Sequence, residues 1–413
     1  MVVFDHIPEQ FENRLLTLSQ SRSHFTLLSG QNYPVTPKNA DLLFAWGVRR
    51  TAGPKDLESL PWTGTWWFGY LGYELFHEMH RVPTADEVLT SWENAALYEP
   101  EVVGIVAGGQ LSVYAEDPEA VYRIIMEAAP FEGQIASLDF TPVEDESSYC
   151  AKVETLKQAI QDGDIYEVNY CTAYQSSVPE GWDALPSYQY LASLTQAPFT
   201  AYVKMGKREV LCASPERFLS KRADMLISQP IKGTNRRLDE GNDAQMEALS
   251  GTVKERAENV MIVDLVRNDL SRVAQKGTVE VPELFGVHAF KNVNQMISTV
   301  QCNMRPDQSL QDVLKATFPM GSMTGAPKVS AMQHIAATEG QRRGIYSGSI
   351  GYIAPEGNMD FNVVIRTIAI DRAMGTASIH VGGAITDLCT AAEEYQECLL
   401  KAESMLRAVQ TPE

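Results

Sequence analysis

The chain has 413 residues, 44% apolar and 21% charged, with a formal net charge of −19 at pH 7. Its length fits two to three domains, or one unit built on large sheets, and its composition is that of a globular protein. The acidic field repels nucleic acid and anionic lipid, which argues against both as partners, and it obliges any anionic substrate to be met by local Lys, Arg or metal charge.

No run of 18 apolar residues occurs, so no membrane span is expected. The stretch Met1–Arg14 lacks the basic and apolar regions of a signal peptide, so the expected location is the cytoplasm. The cysteines Cys150, Cys171, Cys212, Cys302, Cys389 and Cys398 form no CxxC and sit beside no metal-spaced histidines. They read as reduced core thiols.

In chain order, Phe25–Ser29, Val102–Val106 and Leu111–Tyr114 alternate as strands. Trp66–Tyr73 reads as a packed strand with close backbone approaches at its glycines. The segment 130–146, with Pro, Gly and acidic residues, is the weakest junction. It divides an N-terminal region, 1–140, packed on the core, from a catalytic domain, 146–408. Helical spacing covers Ser148–Asp162 and stops at Gly163. Ile165–Gln175, Glu209–Leu219 and Met225–Gln229 read as strands, the last two paired. Gly251–Val273 is a long helix, Leu310–Ala316 a short one, and Ala326–Ala337 another with Pro327 near its first turn. Strands at Gly348–Ala354, Asp360–Asp371 and Ala377–Val381 follow, and a helix N-capped by Thr390 runs to Val409. Hairpin strands with helices between them predict an α+β fold of mostly antiparallel sheets.

Two acid pairs fall at helical i, i+3 spacing: Glu255 with Glu258, and Glu394 with Glu397. Such a pair fits a solvated face, but the apolar run after Glu258 implies a largely buried helix, and buried carboxylates need a counter-charge. Oxygen ligands without histidine favour Mg2+ over zinc or iron. Lys232 lies in Pro230-Ile231-Lys232-Gly233-Thr234. In apolar surroundings its pKa would fall and the amine would become a nucleophile, with Glu216 as general acid or base. The same local sequence also fits a snorkelling lysine or a simple ion pair. Arg366 interrupts an apolar strand and suits a carboxylate ligand. Gly382-Gly383 offers either backbone N–H groups for an anion or a structural turn.

Together these motifs resemble the chorismate-utilising enzymes, the family of the anthranilate and aminodeoxychorismate synthase components I and of the isochorismate and salicylate synthases. The likeness runs from about Ser148 to Leu406. It rests on Gly163-Asp164-Ile165-Tyr166, Ser214-Pro215-Glu216, Pro230–Thr234 and Ala257-Glu258-Asn259 through Asp264. It continues with Arg267-Asn268-Asp269, Gly325-Ala326-Pro327-Lys328, Arg366-Thr367 and Glu394-Tyr395-Gln396-Glu397. The N-terminal third matches more loosely, through Leu27-Leu28-Ser29 and Gly69–Tyr73.

The resemblance implies a large αββα sandwich with the site in a cleft between its sheets. It implies a Mg2+ site with Glu258 and Glu397 as direct ligands, and Glu255 and Glu394 binding directly or through water. The metal, Lys401 and the Gly233-Thr234 backbone would hold the ring carboxylate of chorismate. Tyr346, Arg366 and Gly383 would hold the enolpyruvyl carboxylate. Lys232 resembles the hallmark lysine of members that aminate chorismate at ring C4, where anthranilate-forming members usually carry Ala. The lysine would attack C2 while Glu216 protonates the departing C4 hydroxyl, and ammonia would then add at C4. None of the cysteines sits in a glutaminase elbow between glycines, so ammonia is expected from a separate glutaminase subunit or from solution. The alternatives are anthranilate formation, then isochorismate or salicylate formation, or an inactive chorismate-binding subunit. The sequence departs from the family at Glu167, where aminating members usually have Gln, at Gln295, where His is frequent, and at Ala384 and Cys389.

Overall fold

Short apolar runs bounded by turns leave backbone groups that antiparallel neighbours satisfy most simply. In the computed structural model, which describes residues 1–411 except 31, 32, 37–39 and 239, they do so in two sheets of 12 and 10 strands. The ladders framing the site are antiparallel.

Four layers follow from how the apolar faces are covered. Tyr149, Val153 and Leu156 of the helix Glu146–Gln161, with Ala402 and Met405 of the helix Ala391–Ala408, pack on Tyr170 and Ile379 of the larger sheet. Ile262, Val263, Val266 and Leu270 of the helix Val253–Ser271 pack on Phe218, Leu226 and Val300 of the smaller sheet. Between the sheets, Tyr70 and Ile350 meet Ala201, Val210 and Ala369. The result is the expected αββα sandwich. Strands from before residue 130 enter both sheets: Val102–Ala107 the larger, Trp67–Leu71 the smaller.

Two segments that read as single strands are each broken in two, and the breaks matter most for function. Glu209–Leu219 divides into Arg208–Ser214, in the larger sheet, and Arg217–Arg222, in the smaller. Asp360–Asp371 divides into Met359–Asn362, in the smaller sheet, and Thr367–Asp371, in the larger. The chain thus crosses between sheets twice, and the crossings lie side by side. The Val363 N–H donates to the Glu216 carbonyl at 3.0 Å, and the Ala213 N–H to the Arg366 carbonyl at 3.1 Å. Pro215 has no N–H to give a ladder, and Arg366 turns with φ of +53°, so neither segment continues straight. Alternation shows which face a residue takes but not the sheet that receives it.

Smaller corrections have local causes. A separate helix, Asn242–Gly251, precedes Val253–Ser271. That long helix buries one face only: Val260 and Val253 are exposed, so its apolar run is not a buried stretch. Ala326 belongs to a short strand, and the helix begins at Lys328 after Pro327. Thr390 does cap the last helix by position, but its hydroxyl donates to the Glu393 carboxylate rather than accepting from the backbone.

A buried ion pair ties the layers together beside the site. Arg343 donates to both carboxylate oxygens of Glu339, at 2.9 and 2.6 Å, and to the carbonyls of Met323 and Asn169. Glu339 also accepts the Cys171 N–H at 2.9 Å. Glu339→Ala leaves a guanidinium uncompensated in the interior, a loss of about 3–5 kcal/mol. The urea midpoint should fall accordingly, with Glu339→Gln losing less.

Candidate active site

Lys232 lies on Ile231–Arg236, the strand at one edge of the smaller sheet. Its ammonium donates to Glu167 Oε1 at 2.9 Å and stands 3.7 Å from Glu258 Oε2. Glu167 opens the strand Glu167–Ser177 of the other sheet, so the contact spans the gap between sheets. Burial alone would lower the lysine pKa, but the carboxylates of Glu167, Glu258 and Glu216 outweigh it, and the pKa is raised. The expectation of a neutral lysine in an apolar pocket is therefore corrected. The surroundings are acidic, because the partners come from elements distant in sequence.

Glu216 sits at the first sheet crossing and is buried. Burial pushes its carboxyl up to about 7, against lowering by the Ser322 hydroxyl, the Lys232 charge and the Ile231 N–H. The Ser322 hydroxyl donates to Glu216 Oε1 at 2.8 Å. A carboxyl held near 7 can serve as a general acid at neutral pH.

Arg366 sits at the second crossing. Burial lowers its pKa, while Tyr346 and Glu397 lie close enough to raise it in part. Its guanidinium has no hydrogen-bond or ion-pair partner among the described residues. It lines a cleft of about 280 Å³ together with Pro215 and Gln295. The buried Gln295 Oε1 is likewise unpartnered among the described residues. An enclosed cation without a counter-ion is costly, so the cleft is built for an anion. Tyr346 is held by Cys171 Sγ at 3.8 Å and by stacking on His380, with ring centroids 5.3 Å apart.

The two acid pairs converge from the helices Val253–Ser271 and Ala391–Ala408. A Cβ on Gly233 would lie 3.0 Å from Glu255 Oε2, and one on Gly383 would lie 2.6 Å from Glu394 Oε2, so each glycine makes room for a carboxylate. Burial, then Glu397 and Glu258, pushes Glu394 up to about 7. Burial would also raise Glu397, but Lys401, at 2.7 Å, holds it below the usual carboxylate range. Among the described residues no three His, Cys, Asp or Glu side chains already stand as a coordination group. Lys232 and Lys401 pair with Glu258 and Glu397 instead. Four mutually repelling carboxylates with no nitrogen or sulfur donor fit a hard divalent cation such as Mg2+.

Residues 20–407 match the sequence model of the chorismate binding enzymes. The chain belongs to the chorismate-binding enzyme family. Among curated relatives of this chorismate-binding enzyme, the aminodeoxychorismate synthase of Streptomyces griseus is 36% identical over 84% of the chain and 50% of the relative. The aminodeoxychorismate synthase component 1 of Escherichia coli K12 is 33% identical over 86% of the chain and 79% of the relative. The chain spans half or less of the length of the Streptomyces relatives. The crystal structure of anthranilate synthase component I from Streptococcus pneumoniae TIGR4 superposes with a TM-score of 0.76 at 25% identity. It covers 93% of this chain and 92% of that one.

In this chorismate-binding enzyme the structure brings Lys232, Glu216, Glu258, Tyr346 and Arg366 to one cleft region, with Glu394, Glu397 and Lys401 on its helical side. Gly382 and Gly383 are not a turn. Both lie inside the strand Thr376–Ile385, opposite Cys171 and Tyr170, and the Gly382 carbonyl accepts from Lys401 at 2.7 Å. Thr234 is exposed, opposite Gln295. Sequence reading missed Ser322, which no local signal marks. Glu167 stood out only as a departure from the family, and its partnership with Lys232 needed the fold. No helix among the described residues is long and apolar enough to cross a membrane.

Proposed function

We propose that the chain aminates chorismate at ring C4 to give 4-amino-4-deoxychorismate, a precursor of p-aminobenzoate, with ammonia from a separate glutaminase subunit. The observation that carries this reading is Lys232 held at 2.9 Å from Glu167, beside a Glu216 carboxyl pushed up to about 7. The relatives named aminodeoxychorismate synthase support it.

Arg366 and Tyr346 receive the enolpyruvyl carboxylate of the substrate. Mg2+, held by Glu258 and Glu397 with Glu255 and Glu394, would neutralise the ring carboxylate and draw electron density from the ring. Lys232 passes its proton to Glu167 and bonds to C2. The ring double bonds shift, and the C4 hydroxyl leaves as water with the proton of Glu216. Ammonia then bonds to C4, the double bonds shift back, and the lysine leaves C2. Lys401 orders the Gly382 carbonyl and Glu397 on the metal side.

The test is the product made from chorismate, Mg2+ and ammonium at alkaline pH. We expect 4-amino-4-deoxychorismate, and no product when glutamine replaces ammonium for the chain alone. Fluorescent anthranilate, or an ammonia-independent isochorismate product, would replace this reading.

A further inference from the structure

Behind the wall that carries Lys232's carboxylate partners lies a groove of about 980 Å³. Tyr166, Val260, Leu284 and Val329 line it, with 67%, 47%, 47% and 47% of their surfaces exposed. Monomeric surfaces rarely gather large exposed apolar side chains in one place without a partner. Arg267 and Arg272 also line it. Arg267 pairs with exposed Asp264 at 3.0 Å, and Arg272 donates to Asn268 Oδ1 at 3.2 Å. Aromatic and apolar anchors beside arginines are the composition of interface centres.

The groove and the site share one thin wall. Tyr166 faces the groove, while the next residue, Glu167, is buried against Lys232. On the helix Val253–Ser271, Glu258 reaches Lys232, while Val260 and Asp264 line the groove. The Tyr166 N–H donates to the Ala326 carbonyl, and Ala326 pairs with Glu167 across the ladder, which closes the wall.

We propose that this groove is the docking surface for the ammonia-donating glutaminase, which rests on the amination reading above. A donor seated there stands one residue layer from the lysine, so ammonia has a short path sheltered from water. The charge also fits. A chain of net −19 repels an acidic partner everywhere except where cations such as Arg267 and Arg272 gather, and that patch steers an acidic contact face into register.

The experiment compares glutamine-driven with ammonium-driven product formation in Arg267→Glu, Leu284→Glu and Val329→Glu, none of which belongs to the reaction site. Ile124→Glu, on a helix outside the groove, is the control. The probe is the cognate glutaminase, defined as the subunit that makes the wild-type chain use glutamine, and its affinity is measured by biolayer interferometry. The groove variants should bind it roughly 10- to 100-fold more weakly and lose glutamine-driven rate in step. Their ammonium-driven rate should stay within about twofold of wild type, as surface substitutions usually do. Hydrogen exchange on the wild-type complex should show new protection in 260–272 and 279–284. Unchanged affinity in all three variants, parallel loss of both rates, or protection confined elsewhere overturns the docking proposal. So does a wild-type chain that makes product from ammonium yet pairs with no glutaminase. In each of those cases the amination reading stands if ammonium yields the C4 amine. A complex on this groove without any C4 amine sinks the amination reading and leaves the docking surface.

Discussion

Incubated with chorismate and Mg2+ but no ammonia, the wild-type chain should gain a covalent adduct on Lys232 that intact-protein mass spectrometry detects and added ammonium removes. Lys232→Ala should show neither the adduct nor the C4 amine, and any residual amination should move to C2. The argument is geometric. Lys232 stands at 2.9 Å from a carboxylate able to take its proton, and Glu216, protonated below about 7, is near enough to feel its charge. The raised lysine pKa means that proton transfer to Glu167 must accompany attack. Glu167→Gln therefore slows adduct formation while leaving the amine in place. Glu216→Gln removes general acid catalysis and should cost about 10²–10⁴-fold in kcat with chorismate affinity nearly unchanged. Wild-type rates of C4 amination from Lys232→Ala would reduce the lysine to an electrostatic contact.

Activity should vanish in excess EDTA and return with Mg2+. Glu258→Ala and Glu397→Ala should each lose more than the roughly 10- to 100-fold that removing a supporting contact around a metal costs. The fold should survive, because both side chains are partly exposed and bonded chiefly to lysines. A pH dependence follows with a definite sign. Glu394 is pushed up to about 7 and Glu258 is raised, burial being the leading cause for both. Metal needs the ionised forms, so the Mg2+ concentration for half activity should rise as pH falls through about 7, by about tenfold per unit for each proton displaced. Full activity in EDTA, or a Mg2+ requirement independent of pH from 6 to 8, would refute the metal site.

By itself the sequence determined which residues matter and the class of sheet they sit on. The i, i+3 spacing of Glu255 with Glu258, and of Glu394 with Glu397, marked both acid pairs, because helical periodicity is local and leaves its trace in neighbouring residues. Lys232, Glu216 and Arg366 stood out as charges inside apolar strands, where desolvation makes an unexplained charge conspicuous. Tertiary structure alone decided what those charges meet. Whether Glu209–Leu219 continues or crosses between sheets depends on the partner strand Met359–Asn362, over a hundred residues away, and so does the placing of Glu216 beside Arg366 at paired crossings. The protonation of Lys232 was read wrongly from Ile231 beside it, because electrostatic surroundings are set by through-space neighbours. Glu167 and Glu258 come from another sheet and from a helix, and sequence distance carries no record of that approach.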